Sequence, residues 1–398
     1  MDITIYPGKL QGTLKAIPSK SQAHRLLICA ALSDKKTTLI CEETNQDIEA
    51  TAGCLRAIGA QITRTDKGYD VIPVKSFPSK AYMDCGESGS TLRFLLPVVC
   101  ALGIKTTFQL YGRLPYRPLS PLREELERMG CCLSRPTETT IQTDGKLQAG
   151  DYTIAGNVSS QFISGLLFAL ALLDGESRIH ITGNLESAPY VSMTQQTLRL
   201  FGVRTDDFCI RGTYPFHSPG QLTVEGDWSN GAFFLAAKAL GHPIYVQNLN
   251  PNSTQGDREI EKILSKSKSV PTIIAADIPD LVPILSVYFA AKNGAVFTDV
   301  GRLRIKESDR IEAIIKLLSA LGIDAESNET TLTVHGGQFH GGIVDACNDH
   351  RIAMSAAIAA TIADGPVTIQ GAECVAKSYP AFWQEFKRLG GIYEQYIR

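Results

Sequence analysis

One phrase recurs along the chain and limits the folds open to it. A helix ends at a glycine, and residues of alternating polarity follow. "LRAIGAQITRTDKGYDVIPV" turns at Gly59, "LERMGCCLSRPTETTIQTDG" at Gly130 and "LRLFGVRTDDFCIRG" at Gly202. "LLSALGIDAESNETTLTVHGG" does so at Gly322 and "FKRLGGIYEQYIR" at Gly390. Glycine suits the left-handed residue that closes a helix, and the alternation is that of strands. The copies lie roughly 70 residues apart, with one gap near twice that between Gly202 and Gly322. "REIEKILSKSKS" falls in that gap and reads as a degraded sixth copy. Six units of about 66 residues account for the 398-residue chain.

A second helix precedes each copy. "RLLICAALS", "LRFLLPVVCALG", "FISGLLFALALLDG", "NGAFFLAAKALG", "LVPILSVYFAAKNG" and "RIAMSAAIAATIADG" are apolar nearly all round and should be buried. Later helices such as "PLREELERMG" carry a charged face and should lie outside. The expected fold class is therefore α/β, with two similar lobes of about three repeats each and helices inside a shell of sheets and outer helices. The chain is expected to cross between lobes near Leu14 and again near Glu225, giving one lobe of residues 1–13 plus 225–398 and another of residues 14–224.

Composition narrows the function classes. With 44% hydrophobic and 20% charged residues the chain reads as soluble and globular, and its net charge of -2 gives no broad attraction to nucleic acid or membrane. No apolar run reaches the roughly 18 residues of a spanning helix. The start "MDITIYPGKLQG" reads as strand and turn and lacks the pattern of a secretory signal. Ten scattered cysteines without CxxC or metal-type spacing fit small buried hydrophobes in a reduced cytoplasmic protein.

Polar and cationic residues cluster at the mouths of the buried helices. "PSKSQAHR" offers Lys20, Ser21 and Arg25, and "CGESGSTLR" offers Gly89, Ser90 and Arg93. "GNVSSQFIS" offers Ser159, Ser160 and Gln161, and "NDHR" puts Asp349, His350 and Arg351 before "IAMSAAIAA". A helix start already bears partial positive charge, so an arginine there is unfavourable unless an anion joins it. Ser and Asp are also ordinary N-caps, and Arg351 could simply pair with Asp349. Four such segments together point to a pocket for several negative charges. "RLRIKESDR" adds Arg302, Arg304, Lys306, Glu307 and Arg310. Lys306 and Arg310 are four apart and could share a helix face, and Glu307 among cations could carry a proton. Asp280 in "DIPDLVPIL" is either an N-cap or a carboxylate able to accept a hydroxyl proton.

These segments resemble the EPSP synthase family of enolpyruvyl transferases. "PSKSQAHR", "GESGSTLRFL", "YRPLSPL", "GNVSSQFISGLL", "DIPDLVPIL", "RIKESDRIEAI", "NDHRIAM" and "AKSYPAFWQEFKRLG" occur in the family's order over nearly the full chain. The resemblance implies two domains of three βαβαββ-type units closing round substrates at a cleft. It makes the first domain discontinuous, built from the N-terminal strand and the C-terminal half. It implies transfer of the enolpyruvyl group of phosphoenolpyruvate to the 5-hydroxyl of shikimate 3-phosphate with release of phosphate. For shikimate 3-phosphate it implies Lys20, Ser21, Arg25, Ser159, Ser160, Gln161, Ser187, Tyr190, Asp280 and Lys306. For phosphoenolpyruvate it implies Lys20, Gly89, Arg93, Arg117, Gln161, Arg310, Arg351 and Lys377. Asp280, Glu307 and Lys20 are the candidates for proton transfer. No metal or organic cofactor, nucleic acid or membrane is implied, and a monomer is expected.

The chain departs from the family pattern in three places. The stretch after "REIEKILSKSKS" reaches "PTIIAADIPD" at once, so one repeat of the C-terminal lobe should be truncated. Glu87 and Phe94 stand where Asn and Pro are frequent, and Arg302 where some relatives have Asn. The nearest rival is the enolpyruvyl transferase acting on UDP-N-acetylglucosamine. Its loop cysteine has no counterpart in "YGRLPYRPLSPL", and it prefers Lys-Asn to Lys20-Ser21. A non-catalytic anion-binding homologue is a further alternative, opposed by the joint presence of Lys20, Asp280, Glu307 and Lys377.

Overall fold

The computed structural model describes residues 1–212, 216–265 and 270–396. The chain divides into two compact units, Pro18–Val224 and Met1–Ile17 with Glu225–Arg398. The first crossing lies a few residues later than the sequence suggests. Strand Gly12–Lys15 runs parallel to Ile244–Gln247, with Leu14 opposite Val246, and this carries residues 14–17 into the unit of the C-terminal half.

Among the described residues, unit 18–224 holds three sheets. The first orders its strands Gln221–Thr223, Thr37–Ile40, Gly68–Ile72, Gln61–Thr65, and the second Lys80–Asp84, Lys105–Gln109, Thr140–Gly145, Cys131–Thr137. The third orders Asp151–Ala155, Glu176–Thr182, Cys209–Arg211. The second and third each begin with a parallel pair spanning one buried helix, because a crossover connection is what joins parallel strands, whereas the first opens on a parallel pair from opposite ends of the unit. The repeats are not sealed locally. The phrase at Gly202 forms one strand, Cys209–Arg211, and Gln221–Thr223 then crosses to serve the first repeat's sheet.

The other unit repeats the plan. One sheet orders Thr272–Ile274, Gly294–Thr298, Thr331–His335, Ala325–Ser327. Another orders Gly342–Asp345, Val367–Gln370, Asp2–Tyr6, Ile392–Tyr396, so the N-terminal strand fills the middle of the last repeat's sheet. The third is Gly12–Lys15 with Ile244–Gln247, two strands among the described residues. This is the truncated repeat. The segment "REIEKILSKSKS" forms the end of a 3-10 turn, Gly256–Glu259, and a short helix, Ile260–Ser265; residues 266–269 lie outside the described residues.

Burial separates two kinds of helix as their patterns require. All of His350–Ala360 and all of Val282–Ala290 are buried, as is all but the edge of Gly89–Leu102 and Ser160–Leu170. Gln46–Ala57, Ala188–Leu200 and Arg310–Ala320 bury one face. Two inner helices meet at backbone level. A Cβ on Gly165 would overlap the Arg93 carbonyl oxygen and lie 2.9 Å from Pro97 Cγ, so only glycine lets the Ser160 helix approach the Gly89 helix this closely. That approach sets the spacing of the polar residues at their starts.

Candidate active site

In unit 18–224 the starts of three buried helices are tied together. Ser19, Ser88 and Ser159 cap the helices Lys20–Ala31, Gly89–Leu102 and Ser160–Leu170, each hydroxyl accepting a backbone N–H of the first turn. Gln161 Nε2 donates to Ser90 Oγ at 2.9 Å, joining two of these starts. Lys20 Nζ donates to Asp47 Oδ2 at 2.8 Å, both side chains being 16% exposed. Arg93 and Arg117 flank Gly89: a Cβ there would lie 2.6 Å from one Arg93 nitrogen and 2.8 Å from one of Arg117. Arg93 donates to the Pro118 carbonyl at 3.0 Å, so it braces the loop that carries Arg117.

Arg25 is buried one turn into its helix. Its guanidinium donates to Thr194 Oγ1 at 2.7 Å, to the Ser21 carbonyl at 2.6 Å and to the Tyr190 carbonyl at 2.9 Å. It also lies 4.8 Å over the Phe94 ring, so Phe94 supports a candidate ligand from below. Burial pulls Arg25 down to about 10, which leaves it charged at neutral pH. Ser187, buried beside the helix Ala188–Leu200, sits in the left-handed region at φ 56°. A non-glycine held there is a strained position of the kind found at ligand clamps. Glu87 lies against Gly112, at φ +56°, where a Cβ would overlap its carboxylate.

In the other unit the organising group is Arg310, 1% exposed at the start of the helix Arg310–Ala320. Three of its five N–H donors reach three carboxylates: Asp280 Oδ1 at 2.6 Å, Glu307 Oε2 at 2.7 Å and Asp349 Oδ2 at 2.9 Å. Arg351 donates to Asp280 Oδ2 at 3.0 Å and to the Asp280 carbonyl at 3.3 Å. Asp349, 0% exposed, also accepts from Ser308 Oγ at 2.9 Å and, as N-cap, from the Arg351 backbone N–H at 3.0 Å. Lys377 Nζ donates to the Asn348 carbonyl at 3.1 Å beside this cap.

The charges set one another. Against the upward push of burial, Arg351, Lys306 and Arg310 hold the Asp280 carboxyl well below the usual carboxylate range. Asp349 is held low against burial chiefly by Arg310, with His350 adding to it. Burial pulls the Lys306 ammonium down to about 8; Asp280 opposes this, while Arg302 and Arg310 reinforce it.

Three readings of the sequence change here. Arg351 does pair with a carboxylate, but with Asp280 rather than Asp349, whose side chain is spent on the helix start and on Arg310. Asp280 is not an N-cap: Leu281 holds that place in the helix Val282–Ala290. Lys306 precedes the helix in an extended conformation, so its four-residue spacing from Arg310 is not helical; both nonetheless act on Asp280. The sequence reading missed Asp47, the partner of Lys20, and left Asp349 and Ser308 out of the site. Asp47 follows a capping asparagine in "TNQD", the available signal for a carboxylate at a helix mouth. Within unit 18–224, Lys20, Ser90, Gln161, Arg93 and Arg117 are linked through the helix starts. In the other unit Asp280, Lys306, Glu307, Arg310 and Arg351 form one web, with Lys377 at its edge.

Among the described residues no helix is long and apolar enough to cross a membrane, and no group of three or more His, Cys, Asp or Glu could hold a metal ion.

The EPSP synthase (3-phosphoshikimate 1-carboxyvinyltransferase) sequence profile matches residues 5–269 and 265–386. The chain is 40% identical to the 3-phosphoshikimate 1-carboxyvinyltransferase of Clostridium acetobutylicum over 98% of its own length and 97% of that protein's. It is 39% identical to that of Clostridium botulinum, with 98% of both chains covered. Its fold is similar to EPSP synthase from Acinetobacter baumannii, with a TM-score of 0.79, 25% identity, and 99% and 100% of the two chains covered. The chain belongs to the EPSP synthase family.

Proposed function

We propose that the chain transfers the enolpyruvyl group of phosphoenolpyruvate to the 5-hydroxyl of shikimate 3-phosphate and releases phosphate. The observation that carries this reading is the web of Arg310, Arg351, Asp280 and Glu307, in which two proton-transfer candidates share buried guanidinium groups. Two phosphates and two carboxylates need several cations, and both units supply them at helix mouths. Shikimate 3-phosphate is held by Ser21, Arg25, Ser159, Ser160, Gln161, Ser187, Tyr190, Asp280 and Lys306. Phosphoenolpyruvate is held by Lys20, which the resemblance implies for both substrates and which is assigned to this one, and by Gly89, Arg117, Arg310, Arg351 and Lys377, with Arg93 bracing Arg117 and Gln161 touching both. Both residue sets come from one chain, so the reading needs no second copy. Ten cysteines, none of them in a disulfide, suit a cytoplasmic setting.

The reaction adds a proton to the methylene carbon of phosphoenolpyruvate while the 5-hydroxyl attacks the neighbouring carbon. The tetrahedral intermediate then loses a proton and phosphate to restore the double bond. Asp280 takes the hydroxyl proton. In the empty protein the guanidinium groups make it a weak base. An anionic substrate that engages Arg310 and Arg351 draws their charge away, and Asp280 gains proton affinity when it is needed. Glu307 and Lys20 serve the methylene and phosphate protons, and the cations stabilise the leaving phosphate.

Phosphate release is the direct test. Release is expected with phosphoenolpyruvate plus shikimate 3-phosphate and not with phosphoenolpyruvate plus UDP-N-acetylglucosamine. Release with the sugar nucleotide alone supports the rival transferase, and binding without release in either mixture supports a non-catalytic homologue.

Lys306 gives a pH signature. It is a cation below about 8 and neutral above it, so kcat/KM for shikimate 3-phosphate should fall as pH rises through that value. Lys306→Arg keeps the charge at all these pH values and should remove that limb. A limb that survives in the variant assigns the titration to another group.

A further inference from the structure

His24 lies one helical turn after Lys20 and is completely buried. It takes no part in the chemistry above. Its Nδ1 is 2.7 Å from Thr51 Oγ1. Thr51 Oγ1 is 2.6 Å from Thr91 Oγ1, and the Thr91 hydroxyl donates to Ser88 Oγ at 2.7 Å. Ser88 Oγ also accepts the Thr91 backbone N–H at 3.2 Å and thereby caps the helix Gly89–Leu102. An unbroken line of hydrogen bonds thus joins the helices that begin at Lys20, Gln46 and Gly89.

The direction of that line follows from proton counting. A threonine hydroxyl has one proton. That of Thr91 goes to Ser88, so Thr91 Oγ1 must accept from Thr51. The Thr51 proton is then spent, and the short contact with His24 requires Nδ1 to be the donor. The imidazole is therefore the neutral Nδ1–H form, leaving Nε2 as a lone pair; that atom is buried and has no hydrogen-bond partner among the described residues. Burial, with Lys20 and Arg25 nearby, holds His24 well below its ordinary range, which agrees with a neutral ring.

The same two helices carry a second rung one turn away. Lys20 and His24 are four residues apart, as are Asp47 and Thr51, and Lys20 pairs with Asp47 as His24 pairs with Thr51. The Thr91 hydroxyl also lies 3.4 Å from the Asp47 carbonyl. Arg25, by contrast, is held by Thr194, Ser21 and Tyr190.

We propose that His24 is a positioning residue for phosphoenolpyruvate: its Nδ1–H orients the Thr51–Thr91–Ser88 hydroxyl line that aligns Lys20 with the Gly89–Ser90 helix start. This rests on the function proposed above, with Lys20 and Gly89 on phosphoenolpyruvate and Arg25 on shikimate 3-phosphate. His24→Asn keeps a donor near the Nδ1 position, whereas His24→Leu fills the space and has none.

The His24→Leu variant should raise KM for phosphoenolpyruvate by about three- to tenfold, the effect of one buried hydrogen bond. Affinity for shikimate 3-phosphate, measured by calorimetry, should stay within about twofold. The His24→Asn variant should keep both constants near the parent's. Nitrogen NMR of the imidazole in the parent protein should report the neutral Nδ1–H tautomer at neutral pH. An Nε2–H tautomer or a charged ring overturns the proposal, as does a His24→Asn variant as impaired as His24→Leu. Equal loss of both substrates in His24→Leu reduces His24 to a packing residue and also overturns it. A parent protein inactive with both substrates defeats the proposed function instead, and the tautomer measurement remains independent of that outcome.

Discussion

Replacing Glu307 with Gln is expected to lower turnover by about 10²- to 10⁴-fold, the usual worth of a general acid or base. The amide has nearly the same shape, and its oxygen can still accept from Arg310, as Glu307 Oε2 does at 2.7 Å. What it loses is the ability to hold and release a proton. Affinity for shikimate 3-phosphate should therefore change by no more than about threefold, because the group acts on the transition state rather than on ground-state binding. The check is kcat from phosphate release beside a calorimetric affinity on the same preparation. Unaltered turnover removes Glu307 from the chemistry and leaves Asp280 and Lys20 to divide the protons.

The second large effect is on stability. Arg310→Met keeps an unbranched side chain of similar reach but strips the charge that Asp280, Glu307 and Asp349 share. Removing one member of a buried ionic cluster costs about 3–5 kcal/mol, since the remaining charges stay desolvated and unpaired. Asp349 is the most exposed to this loss because it is fully buried. In the parent, Asp280 and Asp349 are depressed below their unfolded values. Their contribution is present above the unfolded carboxylate range near 4 and is lost as pH falls towards the folded values. In the variant burial acts on Asp349 without its main cation, so its folded value should rise above the unfolded one. Relative to the parent, the variant's stability should then improve on acidification from pH 7 towards about 5; the parent itself loses stability there, because His24 stays neutral when folded and charges when unfolded. Thermal unfolding across that range checks the sign, and parallel curves for the two proteins would show that Arg310 is not what keeps these carboxylates ionised.

Much of the architecture was legible because it is written in short-range pattern. Apolar periodicity separates helices such as "FISGLLFALALL" from one-faced helices such as "RIEAIIKLLSALG", and burial follows those patterns. The glycines at 59, 130, 202, 322 and 390 all adopt the positive φ that a helix-closing turn demands. The caps Ser19, Ser88, Ser159 and Asp349 act within three residues of themselves, so a window of four residues suffices to find them.

Other features were beyond any local window. Nothing in "QLTVEG" says that its strand completes a sheet with Thr37–Ile40, nor in "DITIY" that it separates Val367–Gln370 from Ile392–Tyr396. Strand pairing depends on which edge is open, and that is known only once the repeats have stacked.

By itself the sequence determined the repeat, the inner and outer helices, the cationic helix mouths and the family. Each is a property of residue type at a spacing of a few positions or of motif order. Tertiary structure decided the charge partners: Arg351 with Asp280 across 71 residues, Arg310 among three carboxylates, Lys20 with Asp47, and the hydroxyl line from His24 to Ser88. A buried ion takes whichever counter-charge the packed helices bring within about 3 Å, because low polarity there makes an unpaired charge costly. That distance is set by the meeting of helix starts such as Gly89 and Ser160, not by any neighbour along the chain.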